Sequence, residues 1–106
     1  MSYRFMRILV FFDLPTVTDK DRREYRKFRN MLIKNGFVMM QESVYTRMVL
    51  NQSVMQSVIN TLEKNKPPAG LVQAICITEK QFANSVNISG FFESDVVDSD
   101  ERLIII

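Results

Sequence analysis

An α+β fold, with helices on one face of an antiparallel sheet, is what this sequence predicts on three observations. Short apolar runs of strand length are interspersed with two stretches whose apolar residues recur at helical spacing. Two of the runs, 37–40 and 44–50, are separated only by Gln41, Glu42 and Ser43, for which a hairpin is the simplest connection. The chain has 106 residues, enough for one buried core but too few for several stacked layers, so residues 1–106 are expected to form a single domain.

The first strand is expected over 5–12. Ile8, Val10 and Phe12 form one alternate set and Leu9 and Phe11 the other. Both sets are apolar, so this strand should be central and buried on both faces. Pro15 ends it. Thr18 then begins a helix as N-cap, with Asp21 three positions on in a capping-box arrangement, and Asn35-Gly36 closes the helix after Lys34. Tyr25, Phe28, Met31 and Leu32 share the face that docks it.

After the 37–40 and 44–50 strands, Asn51 is placed to cap a second helix. Its Val54, Met55, Val58, Ile59 and Leu62 keep helical spacing, and Pro67-Pro68 forces it to stop near Lys64. Residues 71–78 form another strand apolar on both faces, and Thr78 with Gln81 opens a short helical turn over 79–84. The order is βαββαβ, the ferredoxin-like arrangement with both helices on one side of the sheet. Two strands apolar on both sides, read as central, cannot leave the other side in water, and a second copy related by a two-fold axis is the simplest cover. The acidic stretch GFFESDVVDSDE reads as a loop. The chain ends in RLIII, an additional strand expected to pack on the dimer partner.

Composition narrows the chemistry. With 46% apolar and 25% charged residues the chain has the make-up of a globular protein and not of a disordered one. No apolar run approaches a bilayer span, and MSYRFMR lacks the core of a signal peptide, so no membrane association is expected and the location is cytoplasmic. The single cysteine, Cys76, excludes an internal disulfide, and it reads as inert core. Histidine is absent, which removes Ser-His and Cys-His nucleophilic catalysis and His-containing zinc sites. Charge is unevenly placed. Residues 1–36 carry nine Lys and Arg against four Asp and Glu, whereas residues 67–106 carry two against six, so the first third suits an anionic partner.

Two features could carry function. In ILVFFDLP the first strand surfaces on Asp13. A carboxylate before a Pro-containing turn is an ordinary way to leave a strand, but it also suits Mg²⁺, which takes one or two carboxylates and completes its shell with water and phosphate oxygens. Two copies of Asp13 converging on a dimer axis could share the ion, with phosphodiester cleavage as the chemistry. On the first helix, Arg22, Arg26 and Arg29 form one strip and Lys20, Arg23, Lys27 and Lys34 the adjoining one. About half the circumference is therefore basic: a solvated face, or one that follows a nucleic-acid backbone without reading bases. Arg4 and Arg7 would extend the patch. Ser43 is either a turn residue or a phosphate contact.

ILVFFDLP, then TDKDRREYRKFRNMLIKNGFVMMQESVYTRMVLN, ITEKQFA and the terminal ERLIII closely resemble the small CRISPR-associated adaptation protein, also called CRISPR-associated endoribonuclease, of type II systems. The resemblance spans nearly the whole chain. It implies a ferredoxin-like homodimer whose C-terminal strand packs on the partner. It also implies a bridge between two dimers of the CRISPR integrase that holds duplex prespacer DNA, for which Lys20, Arg22, Arg23, Arg26 and Lys27, read from the helix pitch, are the expected contacts. Asp13 matches the family's magnesium ligand, catalytic in members described as nucleases of RNA or DNA. Two departures stand out: Phe12 occupies a position where many relatives have tyrosine, removing a hydroxyl from the site, and the chain stops at Ile106 where type II relatives continue. A free-standing Mg²⁺-dependent endonuclease is the second reading. A single-strand RNA-binding module is the third, because Lys34-Asn35-Gly36-Phe37-Val38 resembles one of its aromatic motifs.

Overall fold

A computed structural model describes residues 5–90. The elements are β1 (Met6–Asp13), α1 (Asp19–Lys34), β2 (Val38–Gln41), β3 (Val44–Val49), α2 (Gln52–Lys64), β4 (Leu71–Thr78) and α3 (Glu79–Ala83), the expected βαββαβ order followed by the short helix. The expected terminal strand lies outside the described residues, as do Arg4 and the acidic stretch from Phe91 onward.

Boundaries fall where the capping residues put them. Thr18 Oγ1 accepts from the Asp21 amide while the Asp21 carboxylate accepts from the Thr18 amide, closing the capping box of α1. Asn51 caps α2 and the Thr78/Gln81 pair caps α3 in the same way. Each cap satisfies amides that the first helical turn leaves without intrahelical partners.

The sheet order is β2-β3-β1-β4, all antiparallel. Ile8, Val10 and Phe12 of β1, with Tyr45 and Val49 of β3, face Phe28 and Leu32 of α1 and Val58 and Leu62 of α2, and together they make the core. Both helices thus lie on one face. The Phe12 ring meets Phe28, Tyr45 and Tyr25 at centroid distances of 5.2, 5.7 and 5.9 Å, so the last turn of β1 is locked to α1 by aromatic edges. The buried Thr46 hydroxyl donates to the Ile8 carbonyl at 3.0 Å, so it adds no unsatisfied group.

Two expectations need correction. The 71–78 strand is an edge strand, because β1 and β3 take the centre in this topology. And β1 is buried at Ile8, Val10 and Phe12 on its helix-facing side, but on the other side only at Leu9. Cross-strand register puts Phe11, Val38, Met48, Leu71 and Ile75 together on the side away from the helices, where Phe11 is 39% and Ile75 47% exposed. Cys76 instead faces the helices and packs against the core. Burial pushes its thiol above the ordinary value, in keeping with an inert role.

Candidate metal and nucleic-acid site

Asp13 is the last residue of β1, and strand alternation places it on the same side as Leu9 and Phe11, exposed at the rim of the uncovered face. Its backbone is tightly held. The preceding amide, of Phe12, donates to the Ser43 carbonyl of the β2–β3 turn at 3.1 Å, Leu14 is buried, and Asp13 pairs with Leu71 at the last rung of the β1–β4 ladder. Among the described residues no hydrogen bond or ion pair engages its carboxylate. The strand therefore ends on a well-fixed backbone carrying an unengaged acid.

An open cleft of about 490 Å³ joins this carboxylate to Arg22, Tyr25 and Arg26 of α1 and to Glu42 and Ser43 of the turn. The structure thus brings together three residues that the sequence reading had kept apart, Asp13, Arg26 and Ser43. Arg22 braces its surroundings: its guanidinium donates to the carbonyls of Thr16 at 3.0 Å and Val17 at 2.8 Å and pairs with Asp19, stiffening the loop that leads from Asp13 into α1. Arg26 has no such partner among the described residues and is exposed at the cleft, available to an anion.

The other cationic residues of α1 divide between separate surfaces. Lys20 lines a crevice with Pro67, Pro68 and Ala69. Lys27 lines another with Lys64 and Lys66, and Arg23 is exposed. Arg29 departs from the expected outer strip: it is half-buried and its Nε donates to the Tyr45 hydroxyl at 2.9 Å. Arg7 does not extend the patch either. It forms a two-point pair with Glu79 at 2.9 and 2.6 Å and stacks over Phe82 at 4.4 Å, tying α3 to β1.

Two cleft residues escaped the sequence reading. Tyr25 was assigned only to the docking face, yet it lies three positions after Arg22 and one before Arg26, at the edge where that face meets the basic strip. Its hydroxyl lies 3.4 Å from the Glu42 carbonyl, so it bridges helix and turn. Glu42 looked like a bend residue because nothing local marks which strand end a turn will approach. Phe12, by contrast, is buried among the core rings and does not line the cleft. Phe37 is only 2% exposed, and the RNA-binding motif needs that aromatic on an open sheet.

A family model described as CRISPR associated protein Cas2 matches residues 6–85, from the first residue of β1 to just beyond α3. The chain belongs to the Cas2 family. A CRISPR-associated endoribonuclease Cas2 of Treponema denticola is 46% identical over 101 residues, covering 95% of this chain and 100% of the relative. One of Streptococcus mutans is 40% identical over 99 residues, covering 93% and 91%, and one of Ligilactobacillus salivarius is 41% identical over 101 residues, covering 95% and 100%.

What could the Cas2 cleft hold? Among the described residues no group of three or more His, Cys, Asp or Glu could enclose an ion. One protomer therefore offers Asp13, with Glu42 in the same cleft. That donor set is oxygen-only and sparse. It fits Mg²⁺, which keeps most of its waters, and suits poorly the softer metals that favour imidazole or thiolate. No helix of the described residues is long and apolar enough to cross a membrane.

Proposed function

We propose that this Cas2 chain serves spacer acquisition as a cytoplasmic homodimer that holds duplex prespacer DNA and bridges dimers of the CRISPR integrase, with Asp13 as ligand of a Mg²⁺ ion at a phosphodiester-cleaving site. The observation that carries the reading is the cleft in which an unengaged carboxylate and an unengaged arginine face the same opening. The dimer is favoured by the apolar side of the sheet: Phe11, Val38, Met48, Leu71 and Ile75 form a band that one protomer leaves in water. Asp13 stands at the rim of that band, so an isologous pairing across it near the strand ends would turn two Asp13 carboxylates toward one axis.

Within this reading the chain's own groups divide the work. Arg26, with Lys20, Arg23 and Lys27 on the outer surfaces of α1, attracts backbone phosphates without reading bases. Arg22 keeps the β1–α1 loop in place. The Ser43 hydroxyl is a neutral donor at the cleft wall, able to orient a phosphate oxygen, while the Tyr25 hydroxyl holds the turn through the Glu42 carbonyl. Asp13 would hold the ion, which when bound supplies water activation and charge neutralisation at the phosphoryl group.

Arg26→Ala should weaken duplex binding to a similar extent for every sequence and lower the slope of log affinity against log salt by about 1, the signature of one lost phosphate contact. Fluorescence anisotropy at several salt concentrations reads both quantities. An unchanged slope would remove Arg26 from the phosphate track.

The role itself is tested by pulling down the cognate integrase and assaying prespacer integration with and without the chain. Integration should be lost when the chain is withheld, and equal integration in both arms would sink the bridging role. The second reading, a free-standing endonuclease of RNA or DNA, is favoured by the name endoribonuclease that the relatives carry. It requires cleavage by the chain alone.

A further inference from the structure

The loop from α2 to β4 passes Asp13 at unusually close range, and the residue at the point of contact is a glycine. Gly70 has φ +95°, and a Cβ placed on it would lie 2.7 Å from the Asp13 carbonyl oxygen, 2.7 Å from Leu14 Cδ2 and 3.0 Å from Leu14 Cα. Two of those neighbours are backbone atoms, which cannot swing aside as a side-chain end can. Leu14 is itself buried in the core, so it has little room to yield. The next residue, Leu71, pairs with Asp13 at the final rung of the sheet.

We propose that Gly70 is a positioning residue for Asp13: the absence of a side chain lets the α2–β4 loop press against the Asp13 carbonyl and fix the angle at which its carboxylate leaves the strand. The inference rests on the reading of Asp13 as a metal ligand and extends it. One flank of Asp13 is held by the bond from the Phe12 amide to the Ser43 carbonyl. Gly70 holds the other flank by contact alone. A ligand that is the protein's main contribution to a water-rich magnesium shell depends on its orientation, which the backbone on its two flanks sets.

Two other glycines serve as internal controls. Gly36 has φ +88° and its added Cβ would meet the Arg47 side chain, at 3.5 Å; Gly90 has φ +81° and nothing among the described residues within 4 Å. Alanine at any of the three incurs the cost of a left-handed backbone, but only at Gly70 does it also push on Asp13.

The experiment titrates Mn²⁺, followed by electron paramagnetic resonance, into the intact chain and into Gly70→Ala, Gly36→Ala, Gly90→Ala and Asp13→Asn, with thermal melting of each. Gly70→Ala should raise the Mn²⁺ dissociation constant about tenfold, the scale of a lost supporting contact. Gly36→Ala and Gly90→Ala should melt lower yet bind Mn²⁺ as the parent does. A Gly70→Ala protein that binds Mn²⁺ like the other two, while Asp13→Asn loses it, overturns the positioning role and leaves the metal site standing. Retention of Mn²⁺ by Asp13→Asn overturns the site and the inference together. Should Gly70→Ala fail to fold, amide NMR of the unmodified chain decides. On Mg²⁺ addition the Gly70 and Asp13 amides should shift along one binding curve while Gly36 and Gly90 stay still, and an unmoved Gly70 amide refutes the proposal.

Discussion

Asp13→Asn will lower Mg²⁺-dependent phosphodiester cleavage about 1,000-fold, because an ion that stabilises the transition state is worth several kcal/mol and each 1.36 kcal/mol is a factor of ten. The substitution keeps the shape of the side chain and removes only its charge. Folding should hardly change, since the carboxylate is exposed and has no protein partner among the described residues. Duplex binding should stay level or tighten slightly, because a negative charge leaves the neighbourhood of Arg22 and Arg26. Integration with the cognate integrase should proceed as before if the chain's contribution is architectural. Paired cleavage and integration assays on one preparation read both outcomes. Full cleavage by Asp13→Asn would remove Asp13 from the chemistry, whereas loss of integration alongside cleavage would contradict a purely architectural contribution.

Phe11→Glu carries the other large effect. In one protomer Phe11 is 39% exposed on the uncovered side of the sheet, so a glutamate there reaches water and the fold should survive. In the proposed dimer the same position is buried, and an unpaired carboxylate at an interface costs about 3–5 kcal/mol, a cost that enters from both copies across a two-fold axis. The dimer dissociation constant should therefore rise by about 1,000-fold or more. Duplex affinity should fall with it, because a monomer presents half of the basic track. Light scattering across a dilution series, with circular dichroism to confirm the fold, measures this, and a Phe11→Glu protein that remains a dimer would place the subunit contact elsewhere.

Much of the fold was legible because its boundaries are written in local chemistry. Thr18 with Asp21, Asn51, and Thr78 with Gln81 each act on amides within three residues, so the sequence alone located the helix starts. The site was legible in part. Asp13 announces itself as the only charge at the end of an apolar strand, and the cationic residues of α1 follow from helical pitch. What escaped depends on contacts between distant segments. Arg7 meets Glu79 72 positions away, Arg29 turns inward to Tyr45, and Gly70 rests on Asp13. The edge position of β4 is likewise a matter of strand order, which periodicity does not encode. Nor could Glu42 be placed near Asp13 before the turn was known to bond back to the end of β1.

Sedimentation equilibrium of the full chain, alone and with a short DNA duplex, tests the account most directly. Two protomers in dilute solution, and two per bound duplex, are what it predicts. A solitary protomer that leaves duplex unbound at low salt would contradict it.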